Sequence, residues 1–182
     1  MKASETTLRE LLEGTKQFQI PLFQRRYSWE KKNCTTLWDD LMSIYNGEVE
    51  DEYFIGTIVT QSTPGTANGV SPFIVIDGQQ RLITLSLLLV ILRNCFITKG
   101  NKNAGAEINE QYLINKFKED KGEDYYKILP TQTDKETYKN IIKYKTDAEF
   151  LEQSSNIYQA FIFFYKSVNS PKNDIDPENS IF

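Results

Sequence analysis

Phe73-Ile74-Val75-Ile76-Asp77-Gly78-Gln79-Gln80-Arg81-Leu82-Ile83-Thr84-Leu85 is the stretch on which the reading of this chain turns. Phe73 to Ile76 has the β-branched and aromatic make-up of a buried strand. Asp77-Gly78 is a turn signal. From Gln79 or Gln80 onward Leu82, Leu85, Leu89 and Leu92 recur at helical steps, so a helix follows the turn directly. Asp77, Gln79, Gln80 and Arg81 thus fall where a strand hands over to a helix N-terminus. Backbone N–H groups lack partners there and the helix dipole favours an anion. Gly78 permits close approach of a ligand to the backbone, and Arg81 carries a planar, permanently charged fork suited to phosphate oxygens. A merely structural corner with a solvated arginine is the plain alternative at this point.

Working outward, a second polar cluster lies upstream in Ile20-Pro21-Leu22-Phe23-Gln24-Arg25-Arg26-Tyr27-Ser28-Trp29. Phe18 and Ile20 alternate with Gln17 and Gln19, which predicts a strand ending at Pro21. Between residues 16 and 32 there are five basic side chains and one acid. One reading is a rigid loop offering Gln24, Arg25, Arg26 and Tyr27 to a phosphate or a base, with aromatic rings available for stacking. The other is that the arginines are surface charges. Phe23 and Trp29 are expected to be core anchors under both.

The rest of the chain reads as alternating helix and strand. Thr7 and Glu10 have capping-box spacing before a short first helix stopped near Gly14. Ser28 is expected to cap a helix through Leu37, Trp38 and Leu41 that ends at Asn46-Gly47, and Trp38 is expected to be core. Asp39 and Asp40 are expected on its solvated face. Tyr53 to Thr60 reads as a strand with Gly56 at a bulge or close approach, joined to the Phe73 strand by an exposed loop over 62–72. Thr98 to Asn109 is expected to be a mobile loop, and Ile108 to Phe117 helical. Tyr125 to Pro130 reads as a strand, and Thr133 with Glu136 as the capping box of a helix through Tyr138 and Ile142. A last helix starts at Ser154 or Ser155 and is apolar around much of its circumference, which calls for a covering partner. The segment Ser170 to Phe182 reads as a frayed tail, and the chain as a piece of a longer protein.

Composition bounds the chemistry. The chain has 182 residues, 40% hydrophobic and 25% charged, with a net charge of −4 and a pI near 5.0. Any nucleic-acid surface must therefore be local. The chain has no histidine, which removes Ser-His-Asp and Cys-His nucleophile pairs and histidine metal sites. Cys34 and Cys95 are far apart and read as reduced thiols of a cytoplasmic protein. The run Leu85 to Leu92 is too short to span a bilayer, and no membrane partner is expected.

The three blocks Ile20 to Trp29, Tyr53 to Val59 and Ile76 to Leu85, in this order and spacing, resemble the N-terminal domain of GmrSD-type modification-dependent restriction proteins. Ile128-Leu129-Pro130-Thr131 followed by Asp134 and Tyr138 is also similar to that domain. The resemblance spans roughly residues 5 to 145 and implies an α+β fold like that of ParB and sulfiredoxin: a small mixed sheet packed with helices. It divides the chain into a nucleotide-binding domain over 1–145 and a helical extension over 146–182. It further implies nucleotide binding, NTP hydrolysis with Mg²⁺, and a sensor or regulatory role in restricting modified foreign DNA, alongside a C-terminal nuclease domain or partner protein.

On that reading Gly78, Gln79, Gln80 and Arg81, with Arg25 and Arg26, bind the nucleotide. Asp77 holds the metal, and Asp77, Gln79 and Gln80 are the catalytic candidates, a glutamine orienting the attacking water. Sulfiredoxin chemistry needs a cysteine in the turn, where this chain has Gln79 and Gln80, so that activity is not implied. Two alternatives stay open: a non-catalytic module that reads modified DNA through Gln24, Arg25, Arg26 and Tyr27, or an assembly scaffold forming homo-oligomers through the last helix.

Overall fold

The computed structural model describes residues 4–49, 53–64, 69–118, 122–143 and 154–170. It is a mixed α+β fold. The chain order is α1 (Leu8–Leu12), β1 (Lys16–Gln19), α2 (Lys31–Tyr45), β2 (Val59–Ser62), β3 (Ser71–Asp77), α3 (Gln79–Thr98), α4 (Lys102–Ile108), β4 (Ile128–Leu129), α5 (Gln132–Lys143) and α6 (Asn156–Val168), with a π-helical turn at Asn109–Leu113 and a 3-10 turn at Glu123–Tyr125. The sheet order is β2-β3-β1-β4. β1 runs parallel to both β3 and β4, and β2 closes one edge antiparallel to β3. The C-terminal ends of β1, β3 and β4 therefore face the same way. The segments that leave them are the Ile20–Trp29 loop, the Asp77-Gly78 turn and Pro130-Thr131.

α3 is the core of the molecule. Fifteen of its residues are buried, from Gln79 to Phe96, and each fully buried Leu, Ile or Val contributes about 1.5–3 kcal/mol. Its 20 residues are long and apolar enough to cross a membrane by length and composition. Here they pack instead in one cluster with Phe18, Val75, Tyr138, Phe161 and Phe164. The polar face that periodicity normally leaves on a helix is missing because α3 is covered by α4, α5, α6 and the π-turn.

Several expectations need correction. The segment 98–109 is ordered: α4 packs closely on α3, where a Cβ on Gly105 would lie 2.6 Å from Ile97 Cγ1. The expected helix over 108–117 is only the π-turn, after which Ile114 bridges Tyr126. The strand expected over 53–60 is confined to Val59–Ser62, with a register shift between Val59 and Thr60. The strand expected over 125–130 shrinks to Ile128–Leu129. α2 starts at Lys31 with Glu30 and Asn33 forming the capping box, not at Ser28. α5 starts at Gln132, so the Thr133–Glu136 box lies two residues too late. Phe23 is not a core anchor: it is 81% exposed, because the turn after Pro21 points it away from the sheet.

Trp29 packs on the core rim, as does Trp38, whose ring lies 6.4 Å from Phe164. α6 finds its cover within the chain: Ile157, Ala160, Phe161 and Phe164 are buried against α3 and α2. Its N-cap is Ser155, which accepts from the Tyr158 amide. The Thr7–Glu10 box is formed as expected. The tail expectation for 171–182 lies outside the described residues.

Candidate functional site

The two sequence clusters meet at the C-terminal end of the parallel strands. β3 ends at Asp77, and Gly78 turns the chain with φ +87°. That left-handed value favours glycine, and the space demands it too: a Cβ here would sit 2.9 Å from the Thr57 carbonyl oxygen. α3 begins at once with no side chain capping Gly78, and its first intrahelical bond runs from Leu82 N to Gly78 O. The start of a 20-residue helix is thus left without the serine, threonine or aspartate oxygen that usually satisfies its amides.

Gln79 and Gln80 are both 6% exposed, and both are committed to the upstream loop. Gln80 Nε2 donates to the Arg26 carbonyl at 3.3 Å, and its Oε1 accepts from the Ser28 amide at 2.8 Å. Gln79 Nε2 donates to the Arg25 carbonyl at 3.2 Å and lies 3.4 Å from Gln24 Oε1. Gln24 in turn donates from Nε2 to the Ile76 carbonyl at 3.0 Å. The paired glutamines therefore stitch the arginine loop to the head of α3. With both ends of its amide bonded to the loop backbone, Gln80 is a positioning group.

A third clamp comes from α5. Asp134 Oδ2 accepts from the Tyr27 amide at 2.6 Å and from Thr131 Oγ1 at 3.2 Å. Sequence reasoning missed this role. The signal was present two residues before the box it chose: Thr131 and Asp134 have the same spacing, and Thr131 directly precedes α5. Tyr27, expected to face DNA, is instead 1% exposed, and its hydroxyl shares a 2.7 Å hydrogen bond with Thr84 Oγ1. Burial raises its pKa far above the usual phenol value. It anchors the loop and offers no surface.

This scaffold presents four cations to solvent, with the acids Glu30 and Asp77 also exposed. Arg25 and Arg26 are exposed, as are Lys31 and Lys32 at the start of α2. Arg81 is half-buried. Its Nη1 donates to the Thr57 carbonyl at 2.7 Å, and its guanidinium lies over Gly56, where a Cβ would come within 2.9 Å of Cζ. Gly56 therefore marks a close approach, one of its two expected roles. Asp77 is exposed. Among the described residues no three acidic or thiol groups gather to hold a metal. A cation at Asp77 would take one protein carboxylate, with phosphate oxygens and water completing its shell, as Mg²⁺ commonly does.

A cleft of about 470 Å³ lies at the opposite end of the sheet beside Gly14, Thr15 and Lys127. Its wall mixes Glu107 and Glu110 with Lys116 and Lys118, which does not suit a polyphosphate. The chemistry of the sequence blocks is at the strand C-termini, on an open surface rather than in that cleft.

A comparison with curated proteins finds no match for this chain. The sequence profile described as the GmrSD restriction endonuclease N-terminal domain matches residues 8–182. This span takes in every element that forms the arginine loop, the Gly78 turn and the Asp134 clamp, and the chain belongs to the family of GmrSD restriction endonuclease N-terminal domains.

Proposed function

We propose that this domain binds a nucleoside triphosphate with Mg²⁺ at the head of α3 and acts as the sensor or regulatory part of a restriction protein, beside a nuclease domain or partner. The observation that carries the reading is the uncapped N-terminus of α3 at Gly78, with an arginine loop stitched beside it. The helix start attracts anionic oxygens, and Arg25 and Arg26 supply exposed positive charge on the loop stitched beside it. Asp77 is the carboxylate placed to share a cation with the phosphates. Hydrolysis draws on Asp77 and rests on positioning and electrostatics, which phosphoryl transfer tolerates. Gln80 serves by holding the loop. The likeness of this turn to the phosphate-cradling turn of ParB-type proteins supports the same reading, which places the protein in the cytoplasm, where nucleotides abound.

Thermal unfolding with GTP, CTP, UTP or ATP and Mg²⁺ tests it. A ligand at about 100 times its Kd adds roughly 2.7 kcal/mol of stability. One of the four nucleotides is expected to raise Tm in wild type, and Asp77→Ala and the Arg25→Ala/Arg26→Ala pair to abolish most of the rise. Flat melting curves with all four nucleotides would sink the reading. A second reading, direct contact with DNA through the same loop, is favoured by the exposed Arg25, Arg26, Lys31 and Lys32, a local basic surface on a chain of net charge −4.

A further inference from the structure

The arginine loop carries a feature that phosphate binding does not use. Leu22 and Phe23 are 78% and 81% exposed at the apex of a turn closed by Gln24 N donating to the Pro21 carbonyl at 3.0 Å. Isolated exposed apolar side chains are ordinary. Two adjacent ones on a rigid tip are less so, and this tip is rigid. Pro21 restricts its entry. Its exit is held by Gln24 on Ile76, Gln79 on Arg25, Gln80 on Arg26 and Ser28, and Asp134 on Tyr27.

We infer that Leu22 and Phe23 form a wedge that enters duplex DNA between base pairs, while Arg25, Arg26, Lys31 and Lys32 hold the flanking phosphates. The inference rests on the DNA-contact reading of this loop, not on the nucleotide reading. Three observations favour DNA as the occupant. The apolar tip belongs to a segment, 22–32, that also exposes Arg25, Arg26, Lys31 and Lys32 against one exposed acid, Glu30. Proteins that kink DNA insert Phe or Leu in this way, and arginines nearby contact the backbone. The tip is also too small for a second copy of the chain: two side chains fall well short of the roughly 800 Å² per partner of a stable interface. A tip already immobilised loses little conformational entropy on insertion.

The test uses the full 182-residue chain and an unmodified duplex with 2-aminopurine at a flexible pyrimidine–purine step, without nucleotide. Wild type is expected to bind and to raise 2-aminopurine fluorescence several-fold as the base unstacks. Leu22→Ser/Phe23→Ser, at exposed positions that leave Tm unchanged, is expected to lose the fluorescence rise and about tenfold in affinity, with the salt dependence of binding intact. Arg25→Ala/Arg26→Ala is expected to flatten the salt dependence. Binding by wild type without unstacking would overturn the wedge and leave DNA contact standing; no binding would overturn both. Sedimentation adds a further check: an oligomer that falls to monomer in Leu22→Ser/Phe23→Ser would assign the tip to a second copy instead.

Discussion

Gly78 and Gln80 show how single residues set this site. Any side chain at Gly78 meets two penalties at once, a left-handed backbone and the Thr57 carbonyl 2.9 Å from its Cβ. Gly78→Ala is therefore expected to lose more than about 1 kcal/mol in urea unfolding, and to move the head of α3 away from β2. Gln80→Leu keeps the side-chain bulk but strands the Ser28 amide and the Arg26 carbonyl. It is expected to cost roughly 1–3 kcal/mol, and hydrogen exchange at the Ser28 amide should quicken as the loop comes loose. Arg26→Ala, by contrast, removes only an exposed charge and should stay within about 0.5 kcal/mol of wild type. Equal losses for Gln80→Leu and Arg26→Ala would contradict the clamp. Sequence made Gly78 and Arg81 legible as a special corner. It could not show that both glutamines are consumed in holding a loop more than fifty positions upstream, since hydrogen-bond partners across the chain leave no local pattern.

At the scale of elements, α3 and α4 cross at Gly105, where a Cβ would lie 2.6 Å from Ile97 Cγ1 and 3.1 Å from the Arg93 carbonyl oxygen. Gly105→Ala overpacks this crossing and is expected to destabilise by about 1–3 kcal/mol. Ile97→Ala in the same chain removes that Cγ1 and should recover part of the loss, which a double-mutant cycle by chemical denaturation measures. Strict additivity would mean the two positions do not touch. The same crossing explains why a segment that reads as a polar loop is helical. Tertiary packing of Gly105 and Ile108 on α3 outweighs the weak propensity of Lys102–Ile108. The C-terminal half of α3 is tied in through Arg93. Its guanidinium is 1% exposed and donates to Asn94 Oδ1 at 3.1 Å, Asn109 Oδ1 at 2.7 Å and the Ile142 carbonyl at 2.9 Å. Burial lowers its pKa to about 10, and three neutral oxygens take the place of a carboxylate.

The whole molecule carries a pH signature away from the candidate site. Lys127 is 2% exposed, and burial pulls its pKa down to about 8 from 10.5. Its ammonium donates to the Leu12 carbonyl at 2.7 Å and also to the Gly14 carbonyl. A lysine depressed in the folded state binds fewer protons there than in the unfolded chain. Its burial cost is therefore full below pH 8 and fades as pH rises from about 8 to 10.5. The stability of wild type minus that of Lys127→Met is expected to rise by about 1–2 kcal/mol over this window, less than the bare shift implies because the two carbonyls solvate the charge. Taking the difference removes the opposing effect of the buried Tyr27 and Tyr138, whose raised pKa values cost stability above pH 10. A flat difference curve would show that Lys127 stays charged.

Sequence by itself determined the α+β class, the strand–turn–helix corner at Asp77–Arg81, the Thr7 capping box and the family. The corner and the capping box rest on short-range rules of side-chain period and turn chemistry, and the class and the family on the resemblance carried by three polar blocks. Only the tertiary structure decided which polar residues stay exposed. It turned Tyr27, Gln79 and Gln80 inward as fastenings, brought Asp134 to the loop, and pushed Leu22 and Phe23 out. The physical reason is that a buried polar group must find its hydrogen-bond partner wherever the fold supplies one. Here the partners of the α3 head lie on the segment that leaves β1, and a strand pairing far apart in sequence sets their meeting.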